Sequence, residues 1–161
     1  MKNDVRHFGY KDHVLCDSET KFIVDYEVTS ANVHDSQALL SLLPLHTTEG
    51  QSVYADSAYD SSALHEELRR RGFTPEIIKK GRRNHPLTPE QEAENKRKSQ
   101  VRCRIEHIFG DIKNRRDGLM IRTIGLDRAR TKIGLINLVY NMRRLLTISL
   151  QNQKKRKVLW G

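Results

Sequence analysis

The chain has 161 residues, of which 37% are hydrophobic, and its 29 Lys/Arg against 20 Asp/Glu give a formal net charge of +9. This length suits one domain with its own core, and the apolar runs are too short for a membrane helix, which needs about 20 apolar residues. The polar first residues lack the apolar stretch of a signal peptide, so we expect a cytoplasmic protein with no membrane partner.

The charge is distributed unevenly. Residues 1–68 carry a net charge of −8, residues 69–104 carry +8 and residues 105–161 carry +9. This asymmetry predicts a cationic surface that binds a polyanion, and an ordinary solvated basic face is the alternative. The two cysteines, Cys16 and Cys103, lie far apart without a CxxC partner, which predicts free thiols.

The first half of the chain alternates short strand and helix patterns. Residues 7–17 and 21–30 are rich in β-branched and aromatic residues around a turn at 18–20, which predicts an antiparallel hairpin. A short helix follows and stops at Pro44. The segment 52–55 predicts a strand, "SALHEELRRRG" predicts a helix that ends at Gly72, and "FTPEIIKK" predicts another strand.

The second half is mainly helical. A basic loop, "GRRNHPLTPEQ", precedes a predicted helix over residues 89–114. A last helix, over residues 127–150, carries a helical stripe made of Leu135, Leu138, Met142, Leu145 and Leu146. Residues 151–161 predict a basic flexible tail. The element order predicts an α/β domain over residues 1–150 with a mixed sheet.

Glu106 lies at the border of the apolar stripe of the helix over residues 89–114. On a helical wheel it falls in a cluster with Arg102 and Lys113, beside the stripe. The stripe itself consists of Val101, Ile105, Ile108 and Ile112. A carboxylate at this border can face a cleft while its helix stays anchored. The alternative is a simple ion pair between Arg102 and Glu106 at i, i+4.

Asp56 is the second candidate carboxylate. It follows a short apolar strand, and ligands of α/β sheets are usually bound at the carboxyl ends of strands. The alternative is an Asp that caps the next helix, although Ser57, Asp60 or Ser61 could cap equally well.

Carboxylates within a basic surface suggest metal-dependent chemistry on nucleic acid. Mg²⁺ takes oxygen ligands from one or two carboxylates, and Lys and Arg side chains hold the phosphate backbone. The basic stretch over residues 79–99 would then contact DNA, although a solvated linker loop is the alternative. Its candidate DNA-binding residues are Arg82, Arg83, Lys96, Arg97 and Lys98.

At this point the chain resembles bacterial insertion-sequence transposases of the DDE type, in the group of insertion sequence families four and five. Their signature is Tyr-x2-Arg-x3-Glu-x6-Lys, and Arg102, Glu106 and Lys113 occupy its last three positions, with Ser99 in place of Tyr. Four other segments are similar to family sequence: "HFGYKDHVLCD", "VTSANVHDS", "YADSAYDS" and "IGLDRARTKIGLINLVYNMRRL".

The resemblance implies an RNase H-like mixed sheet with flanking helices and Mg²⁺- or Mn²⁺-dependent DNA cleavage and strand transfer. It implies that Asp56 and Glu106 are the second and third catalytic carboxylates and ligands of a two-ion site. Arg102 and Lys113 would position DNA or the active-site carboxylate. The implied partners are the element ends, the target DNA and further copies in a homo-oligomer, and the implied location is nucleoid-associated.

The first catalytic Asp of the family lies upstream of the segment that matches "HFGYKDH". Asp4 has no strand pattern around it and Asp17 occupies a turn position, so neither replaces it. We therefore expect a truncated or split-frame fragment without the first strand, with weak Mg²⁺ binding and little strand transfer. An upstream fragment that carries the first Asp would be a further partner.

Two other functions remain open from the sequence. A non-catalytic nucleic-acid-binding protein would need the basic face but neither Asp56 nor Glu106. An RNase H-like nuclease would cleave nucleic acid without strand transfer.

Overall fold

The computed structural model describes residues 9–45, 50–81, 83, 85–115 and 121–159. The chain divides into two compact units, one formed by residues 1–34 and 110–161 and the other by residues 35–109. Among the described residues, no helix combines the length and apolar character that crossing a membrane requires.

The first unit contains the predicted hairpin. Strand β1 (Tyr10–Cys16) pairs antiparallel with strand β2 (Ile23–Ser30), in a register that runs from Tyr10↔Ser30 to Leu15↔Asp25. Asp17 stabilises the turn, because its Oδ1 accepts hydrogen bonds from the backbone N–H groups of Thr20 (2.6 Å) and Glu19 (3.3 Å). This is the local role that an Asp commonly takes in turns. The hairpin prediction is confirmed.

Helix α4 (Leu126–Leu159) packs against this hairpin. Its buried residues recur at helical spacing and are Ala129, Ile133, Asn137 and Tyr140. Asn141 fixes the position of the helix, since its amide accepts from Ile23 N at 2.9 Å and donates to Ile23 O at 2.8 Å. The helix continues nine residues past its predicted end at Leu150, over residues that we expected in a flexible tail. Residues 151–157 contain no Gly or Pro, so nothing in that segment stops a helix.

The second unit holds a parallel strand pair and its helices. Helix α1 (Asp35–Leu42) precedes strand β3 (Gln51–Ala55), and helix α2 (Ser62–Arg70) leads to strand β4 (Phe73–Ile77). The strands pair from Gln51↔Phe73 to Ala55↔Ile77. The core of this unit contains Val53, Ala55, Leu64, Leu68, Phe73 and Ile77.

Gly72 and Thr88 mark two helix boundaries, of which the sequence analysis predicted the first. Gly72 has a φ of 87°, a left-handed conformation that favours glycine and ends α2. Helix α3 (Pro89–Arg115) begins with a reciprocal cap, in which Gln91 N donates to Thr88 Oγ1 (3.3 Å) and Thr88 N donates to Gln91 Oε1 (3.1 Å).

The strands form two separate sheets within the described residues. One is the antiparallel β1–β2 pair and the other is the parallel β3–β4 pair. The α/β composition is therefore confirmed, but the single mixed sheet that we expected is not present in this part of the chain. Local patterns locate strands, whereas sheet pairing depends on tertiary contacts that the patterns do not encode. The RNase H-like arrangement stays a prediction.

Candidate functional site

Asp56 lies immediately after β3, at the carboxyl end of the parallel pair. It caps a 3-10 turn over Ser57–Tyr59, and its Oδ1 accepts a hydrogen bond of 2.7 Å from Ala58 N. The capping alternative is therefore realised for this turn, while Ser61 caps α2. No described residue donates to Asp56 Oδ2. The half-buried carboxylate thus combines a local structural role with one oxygen that can bind a cation.

The carboxyl ends of β3 and β4 are joined around Asp56. Ile78 N donates to Ala55 O at 3.1 Å, which extends the contact between the strands. Asp60 accepts from Lys80 N through Oδ2 (3.1 Å) and lies 3.1 Å from His65 Nε2 through Oδ1. These contacts fix the turn that follows Asp56 against the segment that follows β4.

Tyr59 also lies near the carboxyl ends of strands β3 and β4. Burial, together with smaller contributions from the nearby carboxylates of Asp35 and Asp56, raises the pKa of Tyr59 to about 12. The phenol therefore stays protonated at physiological pH. Its hydroxyl can serve as a hydrogen-bond donor near the two carboxylates.

Glu106 lies on the exposed side of α3. Its side chain is 57% exposed, and its Oε1 forms an ion pair of 2.6 Å with Arg102 Nη2. This is the simple i, i+4 pair that the sequence left as the alternative. Glu106 Oε2 accepts no hydrogen bond from the described residues. Arg102 Nε is buried and has no partner in that part of the chain.

The apolar stripe beside Glu106 is confirmed in part. Ile108 is fully buried and Ile112 is 8% exposed. Val101 and Ile105 are only half-buried. The stripe anchors α3 most firmly after Glu106, and the glutamate stays at its border.

Contacts between α3 and the residues in and after β4 show the direction in which the helix runs relative to the strand. Asn95 exchanges two hydrogen bonds with the backbone of Lys79, at 2.9 and 3.0 Å, and Lys98 Nζ donates to Ile77 O at 3.3 Å. The helix therefore runs antiparallel to β4, away from the strand end near Asp56. Glu106 lies eleven residues beyond Asn95, which is about 16 Å along the helix axis.

No hydrogen bond or ion pair among the described residues joins Asp56 to Glu106, although both belong to the unit of residues 35–109. Nor does that part of the chain contain a group of three or more His, Cys, Asp or Glu side chains placed to hold a metal ion. A shared metal site formed by Asp56 and Glu106 stays a prediction.

The predicted DNA-binding residues occupy different environments. Lys98 is only 4% exposed, and its Nζ lies 2.8 Å from Glu94 and 3.3 Å from Glu76. Arg97 is 58% exposed and is paired with Glu76 at 3.2 Å. The exposed side chains of the predicted set also include Arg83, Lys96 and Lys113. Arg82 lies outside the described residues.

Sequence reasoning did not single out Asp12. Burial raises the pKa of this β1 carboxyl from 3.8 to about 6, while a hydrogen bond from Asn137 lowers it in part. The available signal was an Asp inside an alternating strand pattern, because half of the positions in such a pattern face the interior.

Comparisons with known proteins bear on these residues. The sequence model of a family described as transposase DDE domain matches residues 1–142. Over 111 residues the chain is 34% identical to a protein named transposase for insertion sequence element IS1106, from Neisseria meningitidis serogroup B. That alignment covers 69% of this chain and 38% of the relative, so the chain corresponds to well under two thirds of the relative. No solved structure gives a significant match.

Proposed function

The chain belongs to the transposase DDE domain family, and we propose from this membership that it acts on DNA as part of an insertion-sequence transposase. The proposed reaction is hydrolysis of a phosphodiester bond at the element end, followed by attack of the freed 3′ hydroxyl on target DNA. The family match over residues 1–142 is the observation that carries the proposal.

In this proposal Asp56 and Glu106 are metal ligands. Asp56 Oδ1 and Glu106 Oε1 are each engaged by a neighbour, at 2.7 and 2.6 Å, which leaves Oδ2 and Oε2 for a cation. Carboxylate oxygens suit Mg²⁺ and Mn²⁺. A bound divalent ion would supply Lewis-acid activation of the attacking oxygen and charge stabilisation of the leaving one.

DNA binding is proposed for the exposed cations that flank these carboxylates. Lys96, Arg97 and Lys113 lie on α3 and Arg83 lies before it, all with exposed side chains. Arg102 would contribute through its contact with Glu106. Each phosphate that such a side chain neutralises releases counterions and makes binding salt-dependent. Lys98 is left out, because its ammonium group is buried between two glutamates.

A non-catalytic DNA-binding protein is the second candidate. It is favoured by the structural roles that both carboxylates already have, one as a turn cap and the other as the partner of Arg102. Nuclease activity without strand transfer is a third outcome that the same experiment detects.

The experiment measures Mn²⁺ affinity and nicking of labelled duplex DNA for Asp56→Asn, Glu106→Gln and the double variant. If the two side chains share an ion, each single variant weakens Mn²⁺ binding and the double variant weakens it little further, because one lost ligand already disrupts the site. Asp127→Asn, at a carboxylate that is 96% exposed on α4, is the matched control. Unchanged Mn²⁺ affinity in all variants, with DNA binding retained, would establish the non-catalytic candidate.

A further inference from the structure

The turn that carries Asp56 is closed by local hydrogen bonds. Tyr59 N donates to the backbone oxygen of Asp56 at 3.1 Å, and Ala58 N donates to Asp56 Oδ1 at 2.7 Å. These bonds join close neighbours in the chain, so they determine the shape of the turn. They do not determine how the turn is oriented on the rest of its unit, which comprises residues 35–109.

Asp60 connects the end of this turn to the segment after β4. Its Oδ2 accepts a hydrogen bond from Lys80 N at 3.1 Å, and its Oδ1 lies 3.1 Å from Nε2 of His65 on α2. The beginning of the turn is held separately, because Ile78 N donates to Ala55 O at 3.1 Å. Each oxygen of Asp60 has its own neighbour, whereas an Asn side chain would offer one acceptor oxygen only.

Asn95 holds the same segment on helix α3. Its side-chain amide accepts from Lys79 N at 2.9 Å and donates to Lys79 O at 3.0 Å. One side chain therefore satisfies both backbone groups of Lys79, as a residue of a neighbouring strand would. This role requires a donor and an acceptor together, and a carboxylate at position 95 would lack the donor.

Asp60 and Asn95 bond the same peptide group. The C=O of Lys79, which accepts from Asn95, and the N–H of Lys80, which donates to Asp60, belong to one planar unit. The peptide bond is trans, so its C=O and N–H point in opposite directions. The group therefore lies between the two side chains and connects the turn to α3. We call it the linking peptide.

We propose that Asp60 and Asn95 act through the linking peptide as positioning residues for Asp56. They hold the turn on α3 and so fix the direction of Asp56 Oδ2. Because Ala58 N occupies Oδ1 within the turn, the direction of Oδ2 follows the turn as a whole. A turn that is already held in place loses less conformational freedom when its carboxylate binds a cation, and binding is tighter for that reason. The positioning role rests on the proposed function, since it assumes that Asp56 is a metal ligand.

Amide hydrogen exchange of the full chain, measured by NMR without metal or DNA, tests the connection. In Asp60→Asn and in Asn95→Asp we expect the Ala58 amide to exchange about tenfold or more faster, because the turn opens more often. Core amides should keep their protection, which shows that both variants are folded. Gln100→Glu makes the same amide-to-acid change at an exposed position of α3 and should leave the exchange at Ala58 unchanged. Unchanged exchange in Asp60→Asn and Asn95→Asp would overturn the proposal.

Mn²⁺ affinity of the same variants, measured by electron paramagnetic resonance, separates positioning from a merely structural role. We expect Asn95→Asp and Asp60→Asn to weaken Mn²⁺ binding about tenfold, and to have no further effect in an Asp56→Asn background. Binding that depends on Asp56 but is unchanged in the two variants would overturn the positioning role alone. Binding that does not depend on Asp56 would instead overturn its proposed role as a metal ligand, and the positioning role with it.

Discussion

Asn137 Nδ2 lies 3.2 Å from Asp12 Oδ2 and 3.4 Å from Asp12 Oδ1, and so joins the middle of α4 to the middle of β1. Asn137 is 2% exposed, and its own Oδ1 is buried without a partner among the described residues. A half-buried carboxylate beside a buried amide oxygen without a partner is a costly arrangement when the carboxylate is ionised.

Asp12 should make stability depend on pH. Burial raises its pKa in the folded state from 3.8 to about 6, so the folded chain keeps a proton that the unfolded chain has lost. The bound proton stabilises the folded chain fully below about pH 4. As pH rises to about 6 this stabilisation is lost, and the free energy of unfolding falls by about 1–3 kcal/mol. Urea unfolding between pH 4 and 7 measures it.

Asp12→Asn removes the titrating group and keeps the shape. This variant should show no such loss in that pH window and should be more stable than the unmodified chain at pH 7. Asp25→Asn, at an exposed β2 carboxylate, should retain the loss. A pH profile for Asp12→Asn that parallels the unmodified chain would contradict the assignment.

Gly134 and Tyr26 are in close contact between α4 and β2. A Cβ at position 134 would collide with the hydroxyl oxygen of Tyr26 and lie 3.1 Å from its Cζ. Gly→Ala in a helix otherwise gains about 1 kcal/mol. We expect Gly134→Ala to destabilise the chain by about 1 kcal/mol with Tyr26 present and to stabilise it in a Tyr26→Ala background. Thermal unfolding of the unmodified chain, the two single variants and the double variant gives the coupling energy between the two side chains, and equal effects of Gly134→Ala in both backgrounds would rule out the contact.

Substitution of Lys98 should lower the stability of the chain, whereas substitution of Lys96 should weaken its DNA binding. Lys98→Met leaves Glu76 and Glu94 without their buried cation, and we expect a loss of about 2–4 kcal/mol in the free energy of unfolding with little change in DNA affinity per folded molecule. Lys96→Ala, at an exposed position of the same helix, should leave stability unchanged. Its DNA binding should weaken with a salt slope lower by about 1. Denaturant titration and DNA binding at several salt concentrations distinguish the two roles.

Two substitutions of Asp56 distinguish the role of its carboxylate as a turn cap from its proposed role as a metal ligand. Asp56→Ala removes the acceptor for Ala58 N and should lower stability by about 1 kcal/mol. Asp56→Asn keeps an equally good cap and should leave stability nearly unchanged while it removes a charged metal ligand. Chemical denaturation of both variants checks this, and equal losses would show that the charge, rather than the hydrogen bond, stabilises the turn.

Local signals were sufficient for the boundaries of most elements. The strands, α1 and α2 begin and end within a few residues of the prediction. Pro44, Gly72 and the alternating apolar residues determine the backbone conformation of the residues next to them, so their effect can be predicted from local sequence. The cap at Asp56 and the pair between Arg102 and Glu106 are also local, and the sequence had indicated both as alternatives. The environment of Lys98 could not be predicted, since Glu76 lies 22 residues away on a strand.

The sequence by itself determined the family, the order of helices and strands, and the presence of two candidate carboxylates within a basic chain. Composition, periodicity and motif spacing are properties of neighbouring residues, and they survive without knowledge of the fold. Tertiary structure alone decided that the strands pair as two small sheets, that Lys98 is buried, that Asp12 meets Asn137, and which face of α4 the hairpin covers. Each of these depends on contacts between residues that are distant in the chain. The burial and the electrostatic environment of a side chain are determined by the residues that pack against it in the fold.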